Sequence, residues 1–563
     1  MLGDAGDVLE GLCKGAVPAG LLLVLLPAAA LLLLSRAAPA QAAHEFPAMR
    51  AAQFDIHGQQ HGSRNAIVNA EARSGDADGL SRRCVLLRLS ELSLHTLRHA
   101  LAQAAAAIVI LLPPDLGSLP GDALERLREV EPELLMMETA VPVYLAQEDE
   151  ELLSIHEQLH AASTALQHAS AAQVMLSTAT ANGFQMVASG GQSKALPDWP
   201  IASIEGRLPG MGGDDLPTIV IVAHYDSLGL APWLSFGADS NGSGVAALLE
   251  LARLFSKLYT HKRTHAAYNL LFFLSGGGKF GYQGTKRWLE DNLDHTDASW
   301  LQDSVAFVLC LDTLGSGDSL HLHVSKPPKE GTPPYAFLKE LEYVAASQHP
   351  SLRFSMLHKK INLAEETLAW EHERFGIRRL PAFTASRLDT HRRPERTTIA
   401  DVGSQVDITK LSRNVKILGE ALARYIYNLT GKGTTGEFEV FSEQLRLQEE
   451  QMGAMLDWLA SQPRAAPLVG PDHALVTTLE HHMGRYLKDV RTHNVRADKR
   501  EPEFLFYDQL KQTMNAYRVK PAIFDLILAV GIAAYLGVVY LAIQNFGLLY
   551  ETMRRLNAKP KLQ

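Results

Sequence analysis

Three short apolar runs in the middle of the chain constrain its fold more than any other feature. They are Ile219–Ala223, Leu270–Leu274 and Val305–Leu311, and each is typical of a strand that is buried on both faces. Helix-forming segments follow the first two runs, notably Gly244–Tyr259. This alternation predicts an α/β domain with a mainly parallel sheet covered by helices. Ligands of such sheets bind beyond the carboxyl ends of the strands.

Polar residues that can carry chemistry stand directly after these runs. In chain order, they are His224 and Asp226, Gly278 and Lys279, and Asp312. The glycine-rich segment Gly237–Gly244, which contains Ser240, leads into the first helix. Each motif alone is common by chance, whereas their shared placement at strand ends predicts one site at that edge of the sheet.

In this order, the motifs resemble those of the zinc aminopeptidase family, which includes bacterial leucine aminopeptidases, glutamate carboxypeptidase and nicastrin. The resemblance covers about residues 173–430 and implies two zinc ions bridged by an aspartate, with a glutamate as general base. Matched position by position, it makes His224, Asp312 and His391 ligand-type residues. Asp226 matches the residue that orients the first histidine.

The same matching indicates that the catalytic site has degenerated. Ser240 stands where the bridging aspartate belongs, Gly278 where the general base belongs, and Lys279 where a glutamate ligand belongs. Loss of a positioned base alone costs roughly 10²–10⁴-fold in rate, and an ammonium group repels a metal cation. We therefore predict a pseudo-enzyme with no catalytic residue, metal or cofactor, in which Lys279 reaches Asp312 and His224 and fills the former metal site.

Three other functions are conceivable for these residues, and the sequence favours each of them less. An active or residual zinc aminopeptidase would hold one weak metal on His224 and Asp312. The turn before Lys279 lacks the spaced glycine and the following Ser or Thr of a phosphate-binding loop. Ser240 lacks the Gly-x-Ser-x-Gly elbow of many serine hydrolases. The formal charge of −9 gives no electrostatic reason to expect nucleic-acid binding.

The two ends of the chain predict a membrane protein. An apolar leader followed by small residues predicts a signal peptide over residues 1–42, with an uncleaved anchor as the alternative. An uninterrupted apolar stretch predicts a transmembrane helix over 521–544, and the basic residues after it favour a cytosolic tail over 545–563. Together they predict a single-pass type I protein of the endoplasmic reticulum, with most of the chain in the lumen.

The remaining segments complete the predicted organisation. A small α/β lobe is expected over 43–172, with strands at Val85–Leu89, Ile108–Leu112 and Val141–Leu145 and helices between them. A helical stalk or partner-binding segment is expected over 431–520, with helices at Glu443–Ser461, Ala474–Asp489 and Glu503–Tyr517. Glycosylation sequons begin at Asn241 and Asn428, in keeping with a lumenal position. Whether Cys84 and Cys310 pair is left open by the sequence.

The full layout resembles a nicastrin-like, catalytically degenerate branch of the family in the endoplasmic reticulum. That resemblance implies a scaffold subunit in a stable complex with Nodal modulator and a small multi-pass membrane protein. It also implies association with the ribosome-bound protein-conducting channel during insertion of multi-pass proteins, and an influence on Nodal signalling.

Overall fold

The computed structural model of the protein describes residues 42–77, 79–167, 183–213, 215–294, 301, 304–365, 367–519, 522–548 and 550–551. Nearly all of the predicted signal peptide lies outside these residues. So do the end of the predicted cytosolic tail and the join expected near residue 172.

Helices and strands alternate through most of the described chain. The helices are α1 (Leu94–Ala102), α2 (Gly121–Met136), α3 (Glu150–Gln167), α4 (Gly244–Thr260), α5 (Gln283–Asp294), α6 (Pro333–Gln348), α7 (His372–Ile377), α8 (Ile408–Tyr427), α9 (Glu449–Ala460), α10 (Ala474–Tyr486) and α11 (Ala522–Gln544). The strands are β1 (Ala42–Arg50), β2 (Gln53–Ile56), β3 (Gln59–Ser63), β4 (Asn69–Ser74), β5 (Cys84–Arg88), β6 (Ala107–Leu112), β7 (Glu138–Thr139), β8 (Val143–Gln147), β9 (Gly183–Ala188), β10 (Ala195–Leu196), β11 (Ile201–Leu208), β12 (Thr218–His224), β13 (Asn269–Ser275), β14 (Val305–Leu311), β15 (Ser319–Val324), β16 (Arg353–His358), β17 (Ala382–Ser386), β18 (Lys488–Val495), β19 (Phe504–Tyr507) and β20 (Lys511–Val519).

The largest sheet contains all three of the apolar runs that predicted it. Its order is β16-β15-β17-β14-β12-β13-β11-β18. The four central strands, β17, β14, β12 and β13, run parallel to one another. The pairs β15–β17, β11–β13 and β11–β18 are antiparallel. The prediction of a mainly parallel sheet therefore holds for its centre, but the sheet as a whole is mixed.

Helices cover both faces of this sheet, which explains why its strands are apolar throughout. Ile219 and Ile221 of β12 belong to a core on one face of the sheet that also contains residues of α4, α6, α8, α9 and α10. Val220 and Val222 face the other way, against Trp288 of α5 and Phe375 of α7. Since side chains alternate along a strand, burial on both faces requires an unbroken apolar run.

The N-terminal lobe is built on a seven-stranded sheet that closes on itself. Its order is β1-β20-β9-β4-β5-β6-β8, and β8 pairs back with β1. The predicted strands near residues 85, 108 and 143 are confirmed as β5, β6 and β8, and the helices between them as α1 and α2. The earlier strands were not predicted, and neither was the pairing of β1 with β20 near the other end of the described chain.

The predicted helical stalk over 431–520 is helical only in part. Helices α9 and α10 confirm two of its three expected helices, but the helix expected over residues 503–517 is wrong, because β19 and β20 lie there. Gln512, Met514 and Ala516 are buried while their neighbours are more exposed. This period of two is that of a strand. Through β18, β19 and β20, the segment pairs into each of the three sheets that the described residues form.

The last described helix, α11, presents large apolar side chains to solvent, including Leu526, Leu536 and Leu541. Within the described ranges, no helix combines the length and apolarity required to cross a bilayer.

Cys84 and Cys310 are unpaired and fully buried in two different sheets. Burial raises the pKa of Cys84 to about 12 and the pKa of Cys310 well above its usual value. Both residues therefore act as small buried hydrophobes.

A buried carboxyl group joins the N-terminal lobe to the large sheet. Glu131 of α2 is 1% exposed, and its Oε1 accepts hydrogen bonds from the backbone N–H groups of Leu230 and Ile399, at 3.3 and 2.9 Å. Burial raises the pKa of Glu131 from 4.5 to about 7. The junction therefore contains an acid that holds its proton in the folded state at mildly acidic pH.

This group predicts a specific pH dependence of stability. The unfolded chain releases the Glu131 proton near pH 4.5, whereas the folded chain releases it near pH 7. Between these values the folded state binds more protons, so the free energy of unfolding falls as the pH rises. This proton contributes about 3 kcal/mol to the free energy of unfolding. We expect Glu131→Gln to remove that pH-dependent contribution, as measured by thermal unfolding between pH 4.5 and about 7. The control is Glu125→Gln, an exposed site on the same helix. Equal pH dependence in wild type and Glu131→Gln would contradict the assignment.

Candidate functional site

The predicted site residues meet at the carboxyl edge of the large sheet, with one exception. We call the group the vestigial site and define it as His224, Ser240, Gly278, Lys279, Asp312, Glu371 and Arg396. Residues after the ends of β12, β13 and β14 supply much of it. Parallel neighbours end at one edge of a sheet, so the strand order itself brings these residues together.

His224, the last residue of β12, is fully buried. Its Nδ1 lies 3.5 Å from Asn241 Nδ2 and 3.6 Å from Glu371 Oε2. Its ring meets the Tyr282 ring edge-on, at 5.8 Å between centroids. Its Nε2 has no hydrogen-bond partner within the described residues. The ring is thus enclosed on several sides rather than directed at an open cleft.

Asp226 holds the turn that follows β13. Its carboxylate accepts hydrogen bonds from the backbone N–H groups of Gly278 and Lys279, at 2.7 and 3.0 Å. Burial raises the pKa of Asp226, and the charge of His224 opposes this. The contacts fix the position of the turn at the edge of the sheet.

That turn lies directly against His224. A Cβ atom built on Gly278 would lie 2.3 Å from His224 Cβ and 2.4 Å from its Cγ. Since real Cβ contacts essentially never come so close, no other residue fits at 278 unless His224 moves. The position matched to the general base is therefore filled by the histidine itself.

Asp312 is neutralised by an arginine that the sequence did not single out. Arg396 Nη2 donates to Asp312 Oδ2 at 2.6 Å, and Thr313 Oγ1 donates to Asp312 Oδ1 at 2.6 Å. The side chains are 11% and 2% exposed. Burial alone would raise the pKa of Asp312, but Arg396, followed by His224 and Lys279, holds it well below its usual value. The carboxylate is ionised and already paired with a cation.

Other contacts fix the guanidinium of Arg396 in place. It stacks on the Trp370 ring at 4.5 Å, and it donates to Ala369 O and to Tyr282 Oη at 2.9 and 3.0 Å. A guanidinium combines planar stacking with several donors, which suits it to this enclosed position. Arg396 is thus a rigid part of the site.

Lys279 occupies the site as expected, but its predicted partners were wrong. Its Nζ donates to Ser240 Oγ at 2.6 Å and to Arg396 O at 2.9 Å. Asp312 instead pairs with Arg396. No hydrogen bond or ion pair joins Lys279 to His224 within the described residues. Burial lowers the pKa of Lys279 to about 8, and Arg396 adds to this effect. The Ser240 backbone N–H in turn donates to Asp401 Oδ2 at 2.8 Å.

His391 does not join the cluster. It is half-buried, and its carbonyl oxygen accepts a 3.4 Å hydrogen bond from Arg396 Nη1. Burial lowers the pKa of the His391 ring to about 4, and the positive charges of Lys359 and Arg396 add to this effect. Its match to the last metal histidine remains a hypothesis from the sequence.

Glu371 is a further site residue that the sequence did not reveal. It is 1% exposed, and its Oε1 accepts hydrogen bonds from Ser275 Oγ at 2.5 Å and Thr285 Oγ1 at 2.6 Å. A Glu-His-Glu run from 371 to 373, next to buried Trp370 and Phe375, was the available signal.

Asn241 connects the ends of two central strands. Its Nδ2 donates to His224 O at 3.1 Å and Leu311 O at 2.8 Å, and its Oδ1 accepts from Thr313 N at 3.0 Å. The residue is fully buried, so the folded protein does not offer this nitrogen for glycosylation. Asn428 is exposed, and its glycosylation stays a prediction.

These residues do not fit a pair of zinc ions. One Asp312 oxygen is bound by a guanidinium, an ammonium lies beside Ser240, and Gly278 supplies no side chain. Across the described ranges, no group of three or more His, Cys, Asp or Glu residues is placed to hold a metal. Two cations therefore stand where a metal site would need anionic ligands.

The structure predicts that Arg396, rather than Lys279, stabilises the site. Arg396→Met leaves Asp312 as an uncompensated buried charge and should cost about 3–5 kcal/mol of unfolding free energy. Lys279→Met should cost less, because the lysine bonds to neutral groups. Denaturant unfolding measures both, with exposed Arg393→Met as the control, expected to change stability by less than about 1 kcal/mol. Adding Asp312→Asn should recover much of the Arg396→Met loss. A larger loss in Lys279→Met would restore the original assignment.

Known proteins share both the sequence and the fold of this chain. Residues 203–355 match Peptidase family M28. The chain is 64% identical to the Homo sapiens protein named BOS complex subunit NCLN over 564 residues, which cover 100% of both chains. It is 30% identical to the Caenorhabditis elegans protein named Nicalin over 517 residues, which cover 88% of this chain and 89% of the relative.

The crystal structure of the gamma-secretase component nicastrin shares the fold. It superposes with a TM-score of 0.58 at 11% identity, covering 85% of this chain and 100% of that one. The nicastrin likeness concerns architecture alone, whereas the two relatives match in sequence over most of their length. This chain belongs to the nicalin family.

Proposed function

We propose that this chain is a non-catalytic, peptidase-like scaffold subunit of a membrane protein complex in the endoplasmic reticulum. The observation that carries the loss of catalysis is the Arg396–Asp312 ion pair, with the Lys279 ammonium beside Ser240. The relatives named as BOS complex subunits support membership of a complex. A peptidase fold with its site closed is suited to present surfaces to partners.

The proposal extends to partners and position. We infer a complex with Nodal modulator and a small multi-pass membrane protein, which assists the insertion of multi-pass proteins at the ribosome-bound channel. An effect on Nodal signalling would follow from this. Residues 521–544 would anchor the chain, with 545–563 in the cytosol and residues 43–520 in the lumen. Two observations support the anchor. The stretch from 526 to 543 is apolar, and α11 exposes the large apolar side chains of Leu526, Leu536 and Leu541.

A second candidate, a serine–lysine hydrolase, is favoured by one contact. Lys279 Nζ lies 2.6 Å from Ser240 Oγ, and the pKa of the lysine is lowered to about 8. A neutral lysine can activate a serine nucleophile. However, Ser240 is 1% exposed and Lys279 also donates to Arg396 O. The hydroxyl is therefore shielded from a substrate, and we favour the scaffold.

The absence of chemistry can be tested directly on the purified full-length chain. We expect no stoichiometric zinc by elemental analysis after equilibration with zinc, since cations already occupy the site. We also expect no hydrolysis of leucine- or lysine-amide, with a bacterial zinc aminopeptidase as the positive control. If the wild-type chain bound stoichiometric zinc and both His224→Ala and Asp312→Asn lost it, the inactive assignment would be overturned. Labelling by a fluorophosphonate that disappears in Ser240→Ala would support the hydrolase.

Complex formation is tested by affinity purification from membranes in mild detergent. We expect the chain to recover the two proposed partners in fixed ratio, and to resist carbonate extraction through residues 521–544. A variant ending at residue 519 keeps β20 but lacks the proposed anchor, and should be released by carbonate. Recovery of the intact chain as a lone monomer would refute the scaffold assignment.

A further inference from the structure

A large cleft lies at the opposite edge of the large sheet from the vestigial site. Its lining includes Pro217, Val305 and Ala382, which stand at or just before the first residues of β12, β14 and β17. Its volume of 1150 Å³ exceeds the range of about 300–1,000 Å³ that is typical of small-molecule pockets. We call it the basic cleft, for the residues described next.

Cations without acidic partners surround the basic cleft. Four exposed cationic residues line it: Lys326, Lys329, Lys360 and Arg379. The described lining includes no Asp or Glu. None of the four forms an ion pair with another described residue. The chain as a whole carries a formal charge of −9. A local excess of positive charge on an acidic protein therefore favours an anionic ligand.

Two of the residues that line the cleft each have a buried polar atom without a hydrogen-bond partner within the described residues. These atoms are Ser325 Oγ and His372 Nε2. The His372 ring is 1% exposed, and its Nδ1 lies 2.8 Å from Thr384 Oγ1, so its orientation is fixed. An unsatisfied buried polar group carries a free-energy cost, which a ligand that supplies a hydrogen bond would remove.

The cleft is lined by many proline and aromatic residues, which suits it to an extended backbone. Prolines make up a large share of the lining: Pro217, Pro327, Pro328, Pro333, Pro334 and Pro381. The lining also includes the aromatic residues Tyr268 and Tyr425, with Phe383 buried behind the surface. Aromatic-lined grooves bind extended, proline-containing peptides at low entropic cost.

We propose that the basic cleft binds an extended, acidic segment of a partner polypeptide. Charge complementarity selects the acidic side chains, and Ser325 and His372 bond to the backbone or to a carboxylate at the base of the cleft. This goes beyond the scaffold assignment, because it names a surface and a ligand class. It does not depend on the state of the vestigial site, which lies at the other ends of the strands.

Fluorescence anisotropy with the full-length chain in detergent tests the proposal. The probe is a labelled peptide of alternating glutamate and proline, compared with glutamine–proline and lysine–proline peptides of equal length. We expect only the acidic peptide to bind, with an affinity that falls as salt is added. Equal binding of the neutral or basic peptide, or no binding of any peptide, would overturn the proposal.

Variants locate the site. We expect the triple variant Lys326→Glu/Lys329→Glu/Lys360→Glu to bind the acidic peptide about tenfold or more weakly, because it reverses three charges at the cleft. Lys262→Glu/Lys432→Glu/Lys488→Glu changes the net charge equally at exposed positions elsewhere and should leave binding unchanged. Equal effects of both variants would count against a local site.

Ser325→Ala separates binding from folding. The Ser325 hydroxyl has no hydrogen-bond partner among the described residues, so its removal should not lower the Tm, while the affinity for the acidic peptide should fall by roughly threefold. A lower Tm with unchanged affinity would assign the hydroxyl a structural role instead. Capture by phosphatidylserine vesicles that the acidic peptide does not displace would identify a lipid site and refute the peptide proposal.

Discussion

The buried ion pair between Asp312 and Arg396 is the interaction on which the carboxyl edge of the large sheet depends. Arg396 belongs to the connection between β17 and α8, and the same connection supplies two further contacts. The Arg396 carbonyl accepts the Lys279 ammonium, and the Asp401 carboxylate accepts the Ser240 N–H. One loop therefore contacts three residues, Asp312, Lys279 and Ser240, that the sequence matched to metal-site positions. Loss of the ion pair would release the loop together with the charges it holds.

The site is closed by packing as well as by charge. The turn after β13 lies so near His224 that position 278 has room only for glycine, and Asp226 holds that turn by two backbone hydrogen bonds. A change at Ser240 or Lys279 alone would thus not open this edge of the sheet, because His224 already fills the space that a side chain at position 278 would need. Membership of the nicalin family is consistent with a peptidase fold kept for its surfaces rather than its chemistry.

The sequence predicted the parts of the fold whose side-chain pattern is strong. The central strands were predictable since Ile219–Ala223 and its two counterparts are apolar throughout, as strands buried on both faces require. Strand β20 was missed because its alternation of Gln512, Met514 and Ala516 with polar neighbours is weaker than the helix-forming tendency of the region. Lys279 was predicted as a cation in the site, but its partner was not. Arg396 lies far along the chain in a basic run that is typical of solvated surface, and sequence spacing says nothing of such a contact.

The closed sheet of the N-terminal lobe also determines when the lobe can be completed. Strand β1 pairs with β8 over only three residues, whereas from Ala42 to Met49 its partner is β20. During synthesis, β1 therefore cannot complete its pairing until β20, near the other end of the described chain, has been made. Contacts of such long sequence separation form slowly, and until then β1 and β9 present open edges that can pair with other chains. Nascent or prematurely terminated copies are thus the forms of this protein most exposed to aggregation.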